Sequence, residues 1–205
     1  MHDDTPREQD NLKADTALDS AIEASTDPVV ISLKNAHRLE KIRASLRAEA
    51  ELLMQTSPMS RIMRRDWNIV SAKLFLNALD PAYSALIKKD LDELHWQVDD
   101  LAYQLKMLRL STLDKTWMRP RQMVVQVIHP LTASWLRAFK KFDTSFCLLI
   151  NAEKAGLITR RQRFAMLAPS QLTYFAFKAR AMHLSVDSYS GQFESEQRCT
   201  ETEEV

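Results

Sequence analysis

The chain has 205 residues, with 28 Lys and Arg against 27 Asp and Glu, and two glycines, Gly156 and Gly191. That length can bury a sizeable core in one domain, but so few glycines argue against a sandwich, a barrel or a Gly-rich phosphate loop, which need φ > 0 repeatedly. The near-neutral total hides a division: residues 1–28 hold eight acids and two bases, residues 184–205 six acids and one base, and residues 29–183 the other 25 bases and 13 acids.

A body of net charge +12 between acidic ends points to a polyanionic partner. The two ends lack apolar periodicity and are rich in Asp, Glu, Ser and Thr, so 1–28 and 184–205 are expected to be disordered tails around a single domain at 29–183. No run approaches the roughly 18 apolar residues of a membrane span, and MHDDTPREQD is polar and acidic, unlike a secretory signal. Cys147 sits on an apolar helical face and Cys199 in a polar tail, which suits a reducing, cytoplasmic setting.

In chain order, Val29, Ile31 and Leu33 alternate with Ser32 and Lys34, predicting a short strand over 29–35. From Ala36 to about Gln55 the pattern is amphipathic helix, with Leu39, Ile42, Leu46 and Leu53 broadly on one side. A second helix is expected from about Ser60 to Leu79. Asp80-Pro81 then stops it and starts a third, Asp80 as N-cap and Pro81 in the first turn. Along that third helix, roughly 81–110, Ile87, Leu91, Leu94, Val98, Leu101, Leu105 and Leu108 follow a 4-3 spacing. Such a seam is either the inner stripe of a bundle or a surface shared with a second subunit.

Pro120 can begin a strand, and four of the six residues of MVVQVI (123–128) are β-branched. Alternation puts Met123, Val125 and Val127 on one side and Gln122, Val124 and Gln126 on the other. Pro130 opens a long helix with Leu131, Trp135, Phe139, Phe142, Phe146 and Leu149 on its apolar face. Gly156 stands where a left-handed cap belongs, and Thr159 with Gln162 makes a capping-box pattern for a last helix, kinked or broken near Pro169 and ending around His183.

Strand, helix, helix with one isolated strand is the order of the ribbon-helix-helix DNA-binding fold, in which two subunits each lend a strand to a ribbon that enters the major groove. The expected class is therefore mainly α, a helical bundle with a short β-ribbon paired across a homodimer. Val125, Val127, Leu94, Leu101 and Leu105 are the candidates for dimerisation. Gln122, Val124 and Gln126 are candidates for base contact, since Gln can bond an adenine edge and Val can meet a thymine methyl. Arg119, Arg121, Thr159, Arg160, Arg161 and Arg163 are candidates for phosphate, the last four at a helix N-terminus where cations otherwise oppose the macrodipole. Two alternatives stand beside this: the 29–33 strand pairs with 123–128 inside one chain, or the ribbon is 29–34 with Ser32 and Lys34 facing DNA.

No catalytic constellation is present: G-x-S-x-G, H-E-x-x-H and P-loop patterns are all missing from the sequence. His95 with Asp92 and Asp99 has the spacing of a metal trio, but reads better as a solvated acidic face. The expectation is a non-enzyme without metal or cofactor. Its partners would be double-stranded promoter DNA, a second copy of itself and RNA polymerase, with no membrane. The alternative is a helical adaptor of the DNA-transfer machinery that uses the leucine seam. A non-specific nucleic-acid coat would need stacking aromatics on the basic face.

ISLKNAHRL, LDPAYSALIKKDLDEL and VVQVIHPLTASWLRAFKKFDTSFCLLINAEKAGLITRRQ carry a resemblance. Over about residues 30–165 the chain resembles a family of proteins encoded on integrating conjugative elements and large conjugative plasmids, to which AcaB-type transcriptional activators of transfer genes belong. The resemblance implies a dimeric DNA-binding activator with a ribbon-helix-helix-like element, acting on promoters of conjugation genes. The helix after the strand is much longer here than in compact members of that fold.

Overall fold

The computed structural model describes residues 28–44, 47–110 and 119–184; apart from Pro28 and Leu184, both acidic tails lie outside the described residues. Among the described residues three strands and five helices follow one another: β1 (Val29–Val30), α1 (His37–Glu40), β2 (Ala48–Met54), α2 (Ser57–Asn77), α3 (Pro81–Met107), β3 (Arg121–Val127), α4 (Pro130–Lys154) and α5 (Arg160–Ala181). The chain is mainly helical with a small sheet of order β1-β3-β2.

The helix expected over 36–55 is not formed. A single turn, α1, is followed by β2, which pairs antiparallel with β3 from Ala48↔Val127 to Met54↔Arg121. The sequence AEAELLM is built of strong helix formers, yet its alternation also fits a half-buried strand. Leu52 and Met54 are buried, whereas Glu49, Glu51 and Leu53 are exposed. Pairing and burial against β3 override the local preference. β1 is shorter than the expected 29–35 strand and pairs parallel with Arg121 and Gln122. β3 thus lies between two strands of its own chain, β2 pairing it along its whole length and β1 only at Arg121 and Gln122, so it is not the isolated strand expected.

Local chemistry sets the helix ends. Thr56 caps α2, and the carboxylate of Asp143 on α4 accepts from the Gln55 N–H at 2.6 Å and from the Thr56 N–H and hydroxyl at 3.0 and 2.7 Å. Burial pushes Asp143 above the usual carboxylate range, against these bonds. Asp80 caps α3 through the Ala82 N–H (2.9 Å), and Thr159 and Gln162 form the expected capping box on α5. His129 caps α4, its Nδ1 accepting the Leu131 N–H at 3.2 Å; burial, then the charge of Lys88, hold its pKa below the ordinary value. Gly156 takes φ 72 just past α4, where the Leu157 N–H reaches back to the Ala152 carbonyl. α5 runs unbroken through Pro169, where a kink or break was expected.

The inner face of the sheet (Leu52, Met54, Met123, Val125, Val127) meets the helices in one core. Trp67 of α2 stacks on Trp135 of α4 with centroids 4.9 Å apart, and Trp135 continues to Phe139 and Phe177. From Ile87 to Leu105 the α3 seam is buried, packed along α4 and α5 of the same chain. Leu108, beyond the last residue of α3, is exposed. Asp66 of α2 receives Arg65 (2.8 Å), Lys178 (2.8 Å) and Tyr174 (3.1 Å). Although burial raises its pKa, the bonds and charges of Arg65 and Lys178 outweigh it and hold Asp66 below the usual range.

Candidate nucleic-acid interface

Alternation along β3 sorts its side chains as the sequence pattern expects. Met123, Val125 and Val127 are buried, Gln122 and Gln126 are half-buried, and Val124 is 55% exposed. The register sets Gln122 opposite Leu53, Val124 opposite Glu51 and Gln126 opposite Glu49, so these six residues share the outward face of the β2–β3 pair. The Gln122 amide donates to the Glu51 carboxylate across the strands. Trp67 Nε1 holds the Gln126 carbonyl at 3.1 Å from below, which ties this position to the aromatic core.

Two carboxylates on this face, Glu49 and Glu51, escape the sequence reading, because the pattern over 36–55 predicts a helix there. Their signal is the A-E-A-E-L alternation before Leu52. A groove of about 420 Å³ runs beside Val124 and Gln126, walled by Ile31, Leu33, Leu39 and Glu40 of the segment that carries α1. The same segment presents Lys34, Arg38, Lys41 and Arg43, all exposed. Arg47 is engaged structurally, its guanidinium donating to the Leu39 and Ile42 carbonyls at 2.7 and 3.0 Å.

The expected phosphate residues divide into two groups. Arg121 bonds the Ser60 hydroxyl at 3.0 Å at the α2 end of the sheet, and Arg119 beside it is exposed. Arg163 pairs with Glu153 and lies over the Phe164 ring at 4.6 Å and the Phe146 ring at 5.7 Å, while Arg160 lies over Phe164 at 5.8 Å. The Thr159 hydroxyl is taken by its capping box. The basic first turn of α5 therefore has an in-chain reason at Arg163, and Arg160 and Arg161 are its exposed cations. Asp143 sits beside Thr56 at the Arg121 end of the sheet, and α4 continues about 16 Å beyond it to Lys154 at 1.5 Å per residue. The α5 turn thus lies off the same end as Arg119 and Arg121, at a distance from the strand face.

The expected dimerisation residues Val125, Val127, Leu94, Leu101 and Leu105 are all buried in the core of this one chain, where its own elements cover them. The spacing of a seam says that something covers it, and here α4 and α5 do. Ser32 and Lys34 lie beyond β1; their carbonyls accept from Arg64 (3.2 Å) and Asn68 (2.7 Å). His95 bonds Ser134 (3.0 Å) and Asp99 bonds Lys141 (2.8 Å), so two of the three residues are engaged by α4, and Asp92 is exposed. No described helix is long and apolar enough to cross a membrane.

Fold and face together define a helical protein with a small sheet whose outward side sets Gln122, Gln126, Glu49 and Glu51 beside exposed Leu53 and Val124. No protein-family profile and no curated protein matches the chain. Among solved structures it is similar to the crystal structure of selenomethionine-containing AcaB from uropathogenic E. coli. The TM-score is 0.58 and the identity 17%, over 74% of this chain and 87% of that one. At that identity the likeness is one of fold.

Proposed function

We propose that the chain is a cytoplasmic, sequence-specific DNA-binding regulator of ribbon-helix-helix type, an activator of conjugative-transfer genes that reads the major groove with its β-ribbon. The observation that carries the reading is the antiparallel β2–β3 pair, backed by helices on its inner face and presenting Gln122, Val124 and Gln126 outward. A two-stranded ribbon fits the major groove, and its outward residues, about 7 Å apart along a strand, step over roughly two base pairs each. The net +12 of residues 29–183 supplies attraction to phosphate. Likeness of fold to AcaB and the sequence resemblance support transfer-gene control. The acidic tails are candidates to contact RNA polymerase.

The adaptor reading needs an exposed leucine seam, and Ile87 to Leu105 are buried. A strand-exchanged homodimer is not required to pair β3, since β2 pairs it.

The test is binding to duplexes carrying promoters of the protein's own element and to random duplex, at two salt concentrations, with a promoter reporter to read activation. Promoter preference that Gln126→Ala lowers more than it lowers random-duplex binding supports ribbon readout. No duplex binding at low salt would overturn the reading.

A further inference from the structure

The fold holds two strand–helix–helix units in one chain: β2-α2-α3 and β3-α4-α5. Shifting the first by 73 residues superimposes its landmarks on the second. Ala48–Met54 falls on Arg121–Val127, and the N-cap Thr56 falls on the N-cap His129; each cap is followed by a proline in the first turn, Pro58 and Pro130. Burial follows the same shift, since outward Glu49, Glu51 and Leu53 correspond to outward Gln122, Val124 and Gln126. The second helices of both units, α3 and α5, pack together. The antiparallel ribbon that a two-subunit protein makes from two copies is here made from two halves of one.

From this we infer that one chain, without a second copy, reads a non-palindromic duplex, and that Glu49, Glu51 and Leu53 of β2 determine specificity together with the β3 residues. The inference rests on the DNA-binding reading above. A true two-fold axis through the ribbon would require position 53 to match 126 and position 49 to match 122. Instead one end presents Leu53 with Gln122, the other Glu49 with Gln126, and Glu51 with Val124 lies between. Chemistry then assigns the two ends different bases. Leu53 meets a thymine methyl beside an adenine bonded by Gln122, whereas Glu49 accepts from a cytosine amino group beside an adenine bonded by Gln126. A carboxylate among phosphates is repelled unless it finds that donor, so the glutamates reject wrong sequences as well as select right ones.

The experiment is selection of bound duplexes from a random library by the full chain, followed by the mass of the complex in solution and by the variants Glu49→Gln and Gln122→Ala. Expected are a consensus lacking two-fold symmetry and one chain per site. Glu49→Gln should lose about 5- to 150-fold discrimination at the Gln126 end alone while binding random duplex more tightly, and Gln122→Ala should relax the opposite end alone. A palindromic consensus, two chains per site, or a single substitution that relaxes both ends would overturn the inference while leaving DNA binding intact. Failure to retain any duplex at low salt would overturn both. Unchanged thermal unfolding of each variant separates loss of readout from loss of fold.

Discussion

A disulfide placed across the ribbon tests whether β3 finds its partner within the chain. Glu51 and Val124 are directly opposed on the outward face. Opposed residues of an antiparallel pair have Cα atoms about 4.5–5.5 Å apart, within the reach of a disulfide. In the variant Glu51→Cys/Val124→Cys, with Cys199→Ser to remove the tail thiol and Cys147 left buried, oxidation would close a loop of about 74 residues. Loop-closure entropy for that length gives about 4.4 kcal/mol at 25 °C, and strain would bring it into the usual range of about 2–4 kcal/mol. The assays are a non-reducing gel and urea unfolding with and without reductant. A monomer that migrates faster when oxidised, with its midpoint raised and then lowered again by reductant, is the expected result. Covalent dimers from Val124→Cys alone, formed at the rate of the double variant, would show that β3 pairs with β3 of another copy and refute the in-chain ribbon.

Other outcomes follow from the core and the caps. Asp66→Ala leaves Lys178, itself buried, without its carboxylate, and should cost about 3–5 kcal/mol in chemical unfolding; adding Lys178→Met should recover much of that. Because the folded pKa of Asp66 is depressed, its contribution is present above the unfolded value of about 3.9 and is lost as pH falls through the folded value. The wild type should therefore destabilise more steeply in that acid range than Asp66→Asn. His129 is also depressed, so its contribution to stability is complete above about pH 6.5 and declines as pH falls through the folded pKa. His129→Ala should remove about 0.5–2 kcal/mol of capping at neutral pH and flatten that dependence. Gly156→Ala meets no neighbour within 4 Å but must hold φ 72, so a loss of about 1–2 kcal/mol is expected from conformation alone. On duplex DNA, Thr159→Ala should change stability and leave affinity unaltered, whereas Arg161→Ala should lower the salt slope by about 0.9.

Short-range chemistry is legible in the sequence itself. Asp80-Pro81, the Thr159–Gln162 box and Gly156 each act within four or five residues, and each stands where its local pattern puts it. Alternation along 122–128 determines which side of β3 is buried, because a strand has period two whatever lies beside it. The 4-3 spacing of α3 requires that one stripe be covered.

Tertiary structure decided what covers and what pairs. AEAELLM is locally a helix and becomes β2 because β3, 73 positions along, offers a partner and a core to face. The same event placed two glutamates on the candidate reading face and removed the need for a second copy to pair the strand. Separate contacts turned the seam inward onto α4 and α5, and Arg163 toward Glu153. The physical reason is range: caps and periodicity are properties of neighbours in sequence, whereas the identity of a partner is a contest among distant segments for the same buried surface.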